Sequence, residues 1–340
     1  MELTDSSTIE RAVLAVLTGT PLAEAAGQAQ TSSASLVEAT ERYRDAGRAA
    51  LSTGVESSDW LQANIEFPDY STAERAFHTY LLAPLRRATD SGVIGSWWFI
   101  RKHPCWRFRA VPGPRSTADK MSKNIAELLD TAVSGGGVSR WWPSHYEPET
   151  TAFGGPDGMS IAHDLFHTDS LGILDYLHHP HGDESNLLDS KTTSLLLISL
   201  FLRAAGQEWS EQGDVWARVE AARPLPDDVP LDRVTTMTPA MHKLLTTDAT
   251  TALSASGPLF PIAGWSSGME HTGRLIGRAG RDGRLHLGTR GILARHILFH
   301  WNRMGFTPRQ QGIWARAARE TILGDLVTDW HWSPSSKGIC

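Results

Sequence analysis

Two short stretches of this sequence hold residues whose types and spacing could do chemistry. The first is Trp97–Trp98–Phe99–Ile100–Arg101–Lys102–His103–Pro104–Cys105–Trp106–Arg107–Phe108–Arg109, which packs aromatic bulk and four cations into thirteen residues. Pro104 cannot donate to a strand ladder, and aromatic residues alternate on either side of it, so the stretch reads as strand, turn, strand. Period two then puts Trp106 and Phe108 on one face of the second strand and Arg107 and Arg109 side by side on the other. Two neighbouring guanidiniums on a rigid strand match a carboxylate's two oxygens and make a clamp; the competing reading is a solvated polar face. The second stretch is Arg295–His296–Ile297–Leu298–Phe299–His300–Trp301–Asn302–Arg303. On a helix His296 and His300 share a face, with Arg303 one turn beyond His300. An imidazole beside a guanidinium is held neutral, which suits a general base; the competing reading is a pair of hydrogen-bonded core histidines.

Other constellations carry less. His163 and His167 stand four apart on a predicted helix and could share a metal, but no third ligand follows at a characteristic distance; Asp164 and Asp169 are merely nearby. His178, His179 and His181, in a Pro/Gly loop, are weaker still. Gly154 and Gly155 lack the strand-to-helix pattern of a phosphate cradle, and nothing resembles a serine nucleophile elbow or a paired-cysteine site. We expect no metal and no cofactor.

The elements that must position these residues follow from composition and periodicity. A chain of 340 residues with 41% apolar content supports a packed core in one large domain or two. A formal charge of −6 argues against general affinity for nucleic acid or an anionic membrane. The acidic N-terminus lacks the regions of a signal peptide and the longest apolar run, 195–202, is too short to span a bilayer, so the expected location is cytoplasmic. Two cysteines, Cys105 and Cys340, give no disulfide framework. Thirteen tryptophans suit either a broad aromatic groove for a peptide or ordinary core packing.

Residues 1–54 read as a small helical unit with apolar periodicity over 9–17, 21–27 and 35–50. Its outline resembles a helix-turn-helix, but Glu38, Glu41 and Asp45 among the arginines of the third segment make a poor phosphate-facing surface. From 57 the pattern becomes strand over 60–67, then a turn at Pro68–Asp69. A capping box Ser71–Thr72–Ala73–Glu74 predicts a helix to about 88. The aromatic hairpin, a helix from about 116 to Gly135 and a strand over 138–142 follow. Beyond a loop containing Gly154 and Gly155, helical periodicity marks 159–177, 187–205, 210–222, 238–253, 291–304 and 308–323, with an acidic, proline-rich loop at 224–231. The fold class is α+β: a mixed or antiparallel sheet with helices on one face, a mainly helical C-terminal half and the N-terminal helical unit.

Taken in order, Phe99–Ile100–Arg101, Arg107–Phe108–Arg109, Tyr146–Glu147–Pro148–Glu149 with Phe153–Gly154–Gly155, Phe166–His167–Thr168–Asp169–Ser170 and His300–Trp301–Asn302–Arg303 resemble the thiopeptide-type bacteriocin biosynthesis proteins. That family is similar to the C-terminal elimination domain of class I lanthipeptide dehydratases. The likeness runs from about 60 to 322, giving expected divisions of 1–54 for the helical extension, 55–325 for the elimination-like domain and 326–340 for a tail. It implies work on a ribosomally made precursor peptide, leader and core, together with a partner glutamylating dehydratase, and it allows a homodimer. In the lanthipeptide branch a glutamylated Ser or Thr loses glutamate to become a dehydroamino acid. In the thiopeptide branch a relative joins two dehydroalanines in a formal [4+2] cycloaddition, making a pyridine and expelling the leader.

The resemblance implies Arg107 and Arg109 as the arginine pair of an elimination site and His300 as its histidine. Around them Arg101, Lys102, Trp106, Tyr146 and Arg303 are expected to touch substrate. Elimination needs a base at a Cα proton and a cationic pocket for the departing glutamate, which these residues could supply. Ala152 stands where eliminating relatives carry an arginine, and Lys102 and Trp106 also depart from the family pattern, so a pyridine synthase stays open. A leader-peptide-binding subunit without catalysis is the third reading.

Overall fold

Strand alternation and helix capping set the elements. This computed structural model describes residues 6–55, 60–179 and 187–324; His181, Cys340 and the expected tail lie outside them. The chain divides into two compact units, Met1–Asp59 and Trp60–Cys340. In the first, α1 (Ser6–Leu17), α2 (Leu22–Gln28) and α3 (Ser33–Val55) coincide with the three periodic segments. Ala12, Val13, Ala25, Ala26, Ala29 and Leu36 form its core, and their small side chains let the helices close on one another.

The second unit is built on four antiparallel strands, β1 (Leu61–Glu66), β2 (Ile94–Lys102), β3 (Cys105–Pro112) and β4 (Arg140–Ser144), in the order β2-β3-β1-β4. A helical crossing from Tyr70 to Asp90 joins β1 to β2: a 3₁₀ turn, α4 (Ala73–Ala76), a π-helical stretch Phe77–Leu82 and α5 (Ala83–Asp90). The expected capping box is not what starts it. Asp69 caps instead, its carboxylate accepting from Ser71 N at 2.8 Å, while Glu74 is drawn into an ion pair with Arg101. Between β3 and β4 runs α6 (Ala118–Ser134), capped by Thr117.

The remainder is helical: α7 (Pro156–Leu177), α8 (Ser190–Ala204), α9 (Trp209–Ala222), α10 (Leu231–Thr235), α11 (Thr238–Leu245), α12 (Thr250–Leu253), α13 (Ala263–Arg281), α14 (Thr289–Met304) and α15 (Pro308–Leu323). The single helix expected over 238–253 is broken by a turn in which Asp248 accepts from Thr250 N. Helix α13 is not predicted by the periodicity, because five glycines lower its intrinsic propensity. Those glycines allow close packing: a Cβ on Gly273 would stand 2.5 Å from the Phe201 carbonyl oxygen of α8. No helix among the described residues is long and apolar enough to cross a membrane.

Alternation gives the sheet two unlike faces. Ala63, Ile65, Trp97, Phe99, Trp106 and Phe108 pack against Phe77, Leu81 and the α6 residues Met121, Ile125 and Leu129. The other face carries Trp98 opposite Arg109 and Ile100 opposite Arg107, and it meets α7 and α14. Helix α7 also covers the outer edge of β2, where Ser170 Oγ accepts from Phe99 N at 3.3 Å and His167 Nδ1 lies 2.7 Å from the Trp97 carbonyl oxygen. An edge so occupied cannot recruit another strand.

Candidate active site

A cavity of about 70 Å³ opens where β2 and β3 face α7 and α14. Period two sends Trp98, Ile100 and Lys102 of β2 and Arg107 and Arg109 of β3 toward it. The loop between β4 and α7 closes it with Tyr146, Glu147, Glu149 and Phe153. That loop turns into α7 through Gly154 and Gly155, at φ 88 and 95, and a Cβ on Gly155 would stand 2.7 Å from the His286 ring. Positive φ and close approach together require glycine there. Met159 and Phe166 of α7 and Phe299 of α14 complete the wall.

Arg109 is the fixed cation of the site. Its Nε donates to Gln62 Oε1 on β1 at 2.8 Å, and its guanidinium carbon lies 4.3 Å from the Trp98 ring centroid and 4.5 Å from that of Tyr146. Burial lowers its pKa to about 10, which leaves it charged at neutral pH. Arg107 and Lys102 have no hydrogen-bond or ion-pair partner among the described residues, so their donors are free for a ligand. Glu149 accepts from Arg295 Nη1 at 2.8 Å, which neutralises one of the two carboxylates at the wall. The Tyr146 hydroxyl lies 2.8 Å from His163 Nε2. Burial raises the Tyr146 pKa, while burial and then the charge of Arg109 lower that of His163 to about 4, so both groups are neutral at pH 7.

The other expected contacts lie elsewhere. Arg101 and Trp106 belong to the opposite face of the sheet: Arg101 pairs with Glu74 at 2.9 Å and lies over the Trp106 ring, which is 1% exposed. The same alternation that brings Arg107 and Arg109 in turns these two away, which corrects their expected place at the substrate. Nor does the structure bring His300 and Arg303 into the cavity. They sit behind Phe166, in a second cluster centred on Asp169 of α7.

In that cluster Asp169 accepts from Trp265 Nε1 at 2.9 Å, from His300 Nδ1 at 2.9 Å and from Arg303 Nε at 2.7 Å. Burial would raise the carboxyl pKa, but His300 and Arg303 outweigh it and hold the group well below the usual range. His300 Nε2 lies 2.8 Å from Ser194 Oγ, which itself accepts from Trp301 Nε1. The connectivity is that of a Ser-His-Asp triad, yet Ser194, His300 and Asp169 are all buried and the space that adjoins them among the described residues is a void of about 10 Å³. No substrate reaches it. His296 borders the same void, and burial holds it near pKa 3.

Of the histidines weighed for metal, His163 binds Tyr146, His167 the backbone of β2, and His178 stacks on His78 at 3.8 Å. Sequence reasoning missed Trp98, Phe166, Phe299 and Gln62 as parts of the site. Trp98 was legible, since it shares its face of β2 with Lys102; Phe166 opens one of the resembling motifs and Phe299 lies between the two histidines of α14, but nothing in their type or spacing marked them as facing the cavity.

The model of the lantibiotic biosynthesis dehydratase C-terminal family matches residues 60–322. No curated protein matches the chain. Among solved structures, the chain is similar to the tRNA-dependent lantibiotic dehydratase MibB from Microbispora sp. 107891, with a TM-score of 0.59 and 16% identity over 81% of this chain and 29% of that one. This chain thus spans under a third of MibB's length. It is also similar to TsrL, with a TM-score of 0.50 and 14% identity over 78% of this chain and 95% of that one. At such identities the likeness shows a shared fold, and the family match over most of the sequence shows descent: the chain belongs to the lantibiotic biosynthesis dehydratase C-terminal family.

Proposed function

We propose that the chain is a tailoring enzyme of ribosomally synthesised peptides that eliminates glutamate from a glutamylated Ser or Thr, leaving a dehydroamino acid, with the arginine cavity as its site. The observation that carries this reading is the pair Arg107 and Arg109, side by side over an aromatic floor, one fixed and one free. Elimination releases a carboxylate as the bond to Cβ breaks, and guanidiniums fixed beside it stabilise that developing charge. Four cations, Lys102, Arg107, Arg109 and Arg295, stand against the carboxylates Glu147 and Glu149, so the balance favours an anion. In this reading Arg109 orients the leaving group, Arg107 and Lys102 bind its oxygens, and His300 and Arg303 hold α14 so that Phe299 and Arg295 keep their places.

The substrate is then a precursor peptide already glutamylated by a partner dehydratase, and the enzyme works in the cytoplasm. A second reading, the formal [4+2] joining of two dehydroalanines, is favoured by the aromatic lining of Trp98, Tyr146, Phe153, Phe166 and Phe299, which suits a planar product, and by Ala152. Mass spectrometry after incubation with a glutamylated peptide and with a bis-dehydroalanine peptide separates the readings. Loss of glutamate supports elimination, a smaller macrocycle plus free leader supports the synthase, and binding without mass change refutes both in favour of a leader-binding subunit.

A further inference from the structure

Neither clamping arginine supplies an acid for the carbonyl oxygen on which charge collects when a Cα proton leaves. Tyr146 does. Its ring forms one wall of the cavity against Arg109, and its hydroxyl lies 2.8 Å from His163 Nε2. His163 projects from the second turn of α7 and is braced by the Trp60 ring, with centroids 4.4 Å apart. When Nε2 carries the imidazole proton, His163 donates to the phenol oxygen and the phenolic hydrogen is directed to a second acceptor.

We infer that Tyr146 is a catalytic hydrogen-bond donor to the carbonyl oxygen of the reacting residue, and that His163 is the positioning residue that aims its hydroxyl. The assignment rests on the proposed function above. In elimination the α-proton passes to Glu147, the cavity carboxylate with no ion-pair partner among the described residues. The C–H electrons move toward the carbonyl, whose oxygen is held by the Tyr146 O–H, and return to form the Cα=Cβ bond. The Cβ–O bond breaks, and its electron pair leaves with the glutamate carboxylate onto Arg107 and Arg109. Tyr146 ends with its own proton. The neutral state of both members, set by burial, keeps the donor in place across the working pH range.

The test uses the full chain with the glutamylated and bis-dehydroalanine peptides, read by mass spectrometry. Tyr146→Phe removes one oxygen and keeps the ring; it should lower kcat about 100-fold with KM and thermal midpoint nearly unchanged, the scale of losing one oxyanion donor. His163→Leu should fall comparably, whereas His163→Gln, whose amide still reaches the hydroxyl, should recover at least tenfold of that loss, roughly one hydrogen bond's worth. Wild-type kcat in Tyr146→Phe overturns the donor, and equal rates in the two His163 variants overturn the positioning role. A wild-type protein that converts neither peptide overturns the functional reading and this assignment with it.

Discussion

The arginine cavity and the Asp169 cluster are built from the same chemistry, cations, an imidazole and a carboxylate gathered around α7, yet they do opposite things. Around Asp169 the donors are buried and turned on one protein acceptor: His300 is engaged at both ring nitrogens, and Asp169 takes bonds from side chains of two helices, α13 and α14. Arg107 and Lys102, by contrast, keep their donors free beside a space. A buried charged network specifies how helices meet, because any rearrangement strands a charge in the interior. Chemistry needs the reverse, a fixed group with capacity left over. Access to spare donors, more than residue identity, separates the two regions: the Arg303 Nη atoms are sealed in the interior, whereas Arg107 and Lys102 line a cavity.

Substitution at the cluster should have the largest effect of any tested. Asp169→Ala leaves Arg303 buried without its counter-charge and should cost about 3–5 kcal/mol, read as a fall in the denaturant midpoint. Wild-type stability in that variant would mean that the helices are held by apolar packing alone. At the cavity the signature should invert: Arg107→Ala should lower product formation about 100-fold while stability stays within about 0.5 kcal/mol, since the side chain supports nothing else. A parallel loss of stability and rate would erase the distinction between the regions.

Acid sharpens the same contrast. Asp169 has a depressed pKa in the fold, so the folded form binds fewer protons than the unfolded chain; its contribution is complete above the ordinary carboxylate value and is lost as pH falls through the folded one. His296 and His163, held near 3 and 4, act with the same sign between their unfolded value, about 6.5, and those values, because only the unfolded chain takes up the proton there. Stability should therefore decline from about pH 6.5 downward, and His163→Gln should flatten the part of that decline that lies above pH 4. Denaturant midpoints across pH for both proteins decide it.

How much of this was legible follows from the periods involved. The alternation of β3 placed Arg107 and Arg109 together because a strand has only two faces, and one was filled by Trp106 and Phe108. Helix α14 gave no such answer: it is buried on several sides, so periodicity could not tell whether His300 or Phe299 met the cavity. Helix α13 escaped notice because glycine weakens the local signal, while tertiary packing that the sequence does not display restores the helix. It also brings Trp265 to Asp169, a contact 96 residues apart in the chain. The resemblance located the motifs but not the faces on which they fall.

The smallest expected effect tests that last point. Arg101 belongs to the same cationic stretch as Arg107, but its pairing with Glu74 and its stacking on Trp106 place it across the sheet from the cavity. Arg101→Met keeps an apolar stem on the Trp106 ring and removes a partly buried ion pair, which should cost about 1 kcal/mol or less. Product formation should stay within about twofold of wild type, since no donor at the cavity changes. If instead turnover collapsed while the thermal midpoint held, the peptide would have to approach the far face of the sheet, and the spare donors of Arg107 and Lys102 would need another explanation. Because the two arginines share a hairpin and differ chiefly in which way the pleat turns them, the pair of variants measures what strand alternation alone contributes to the site.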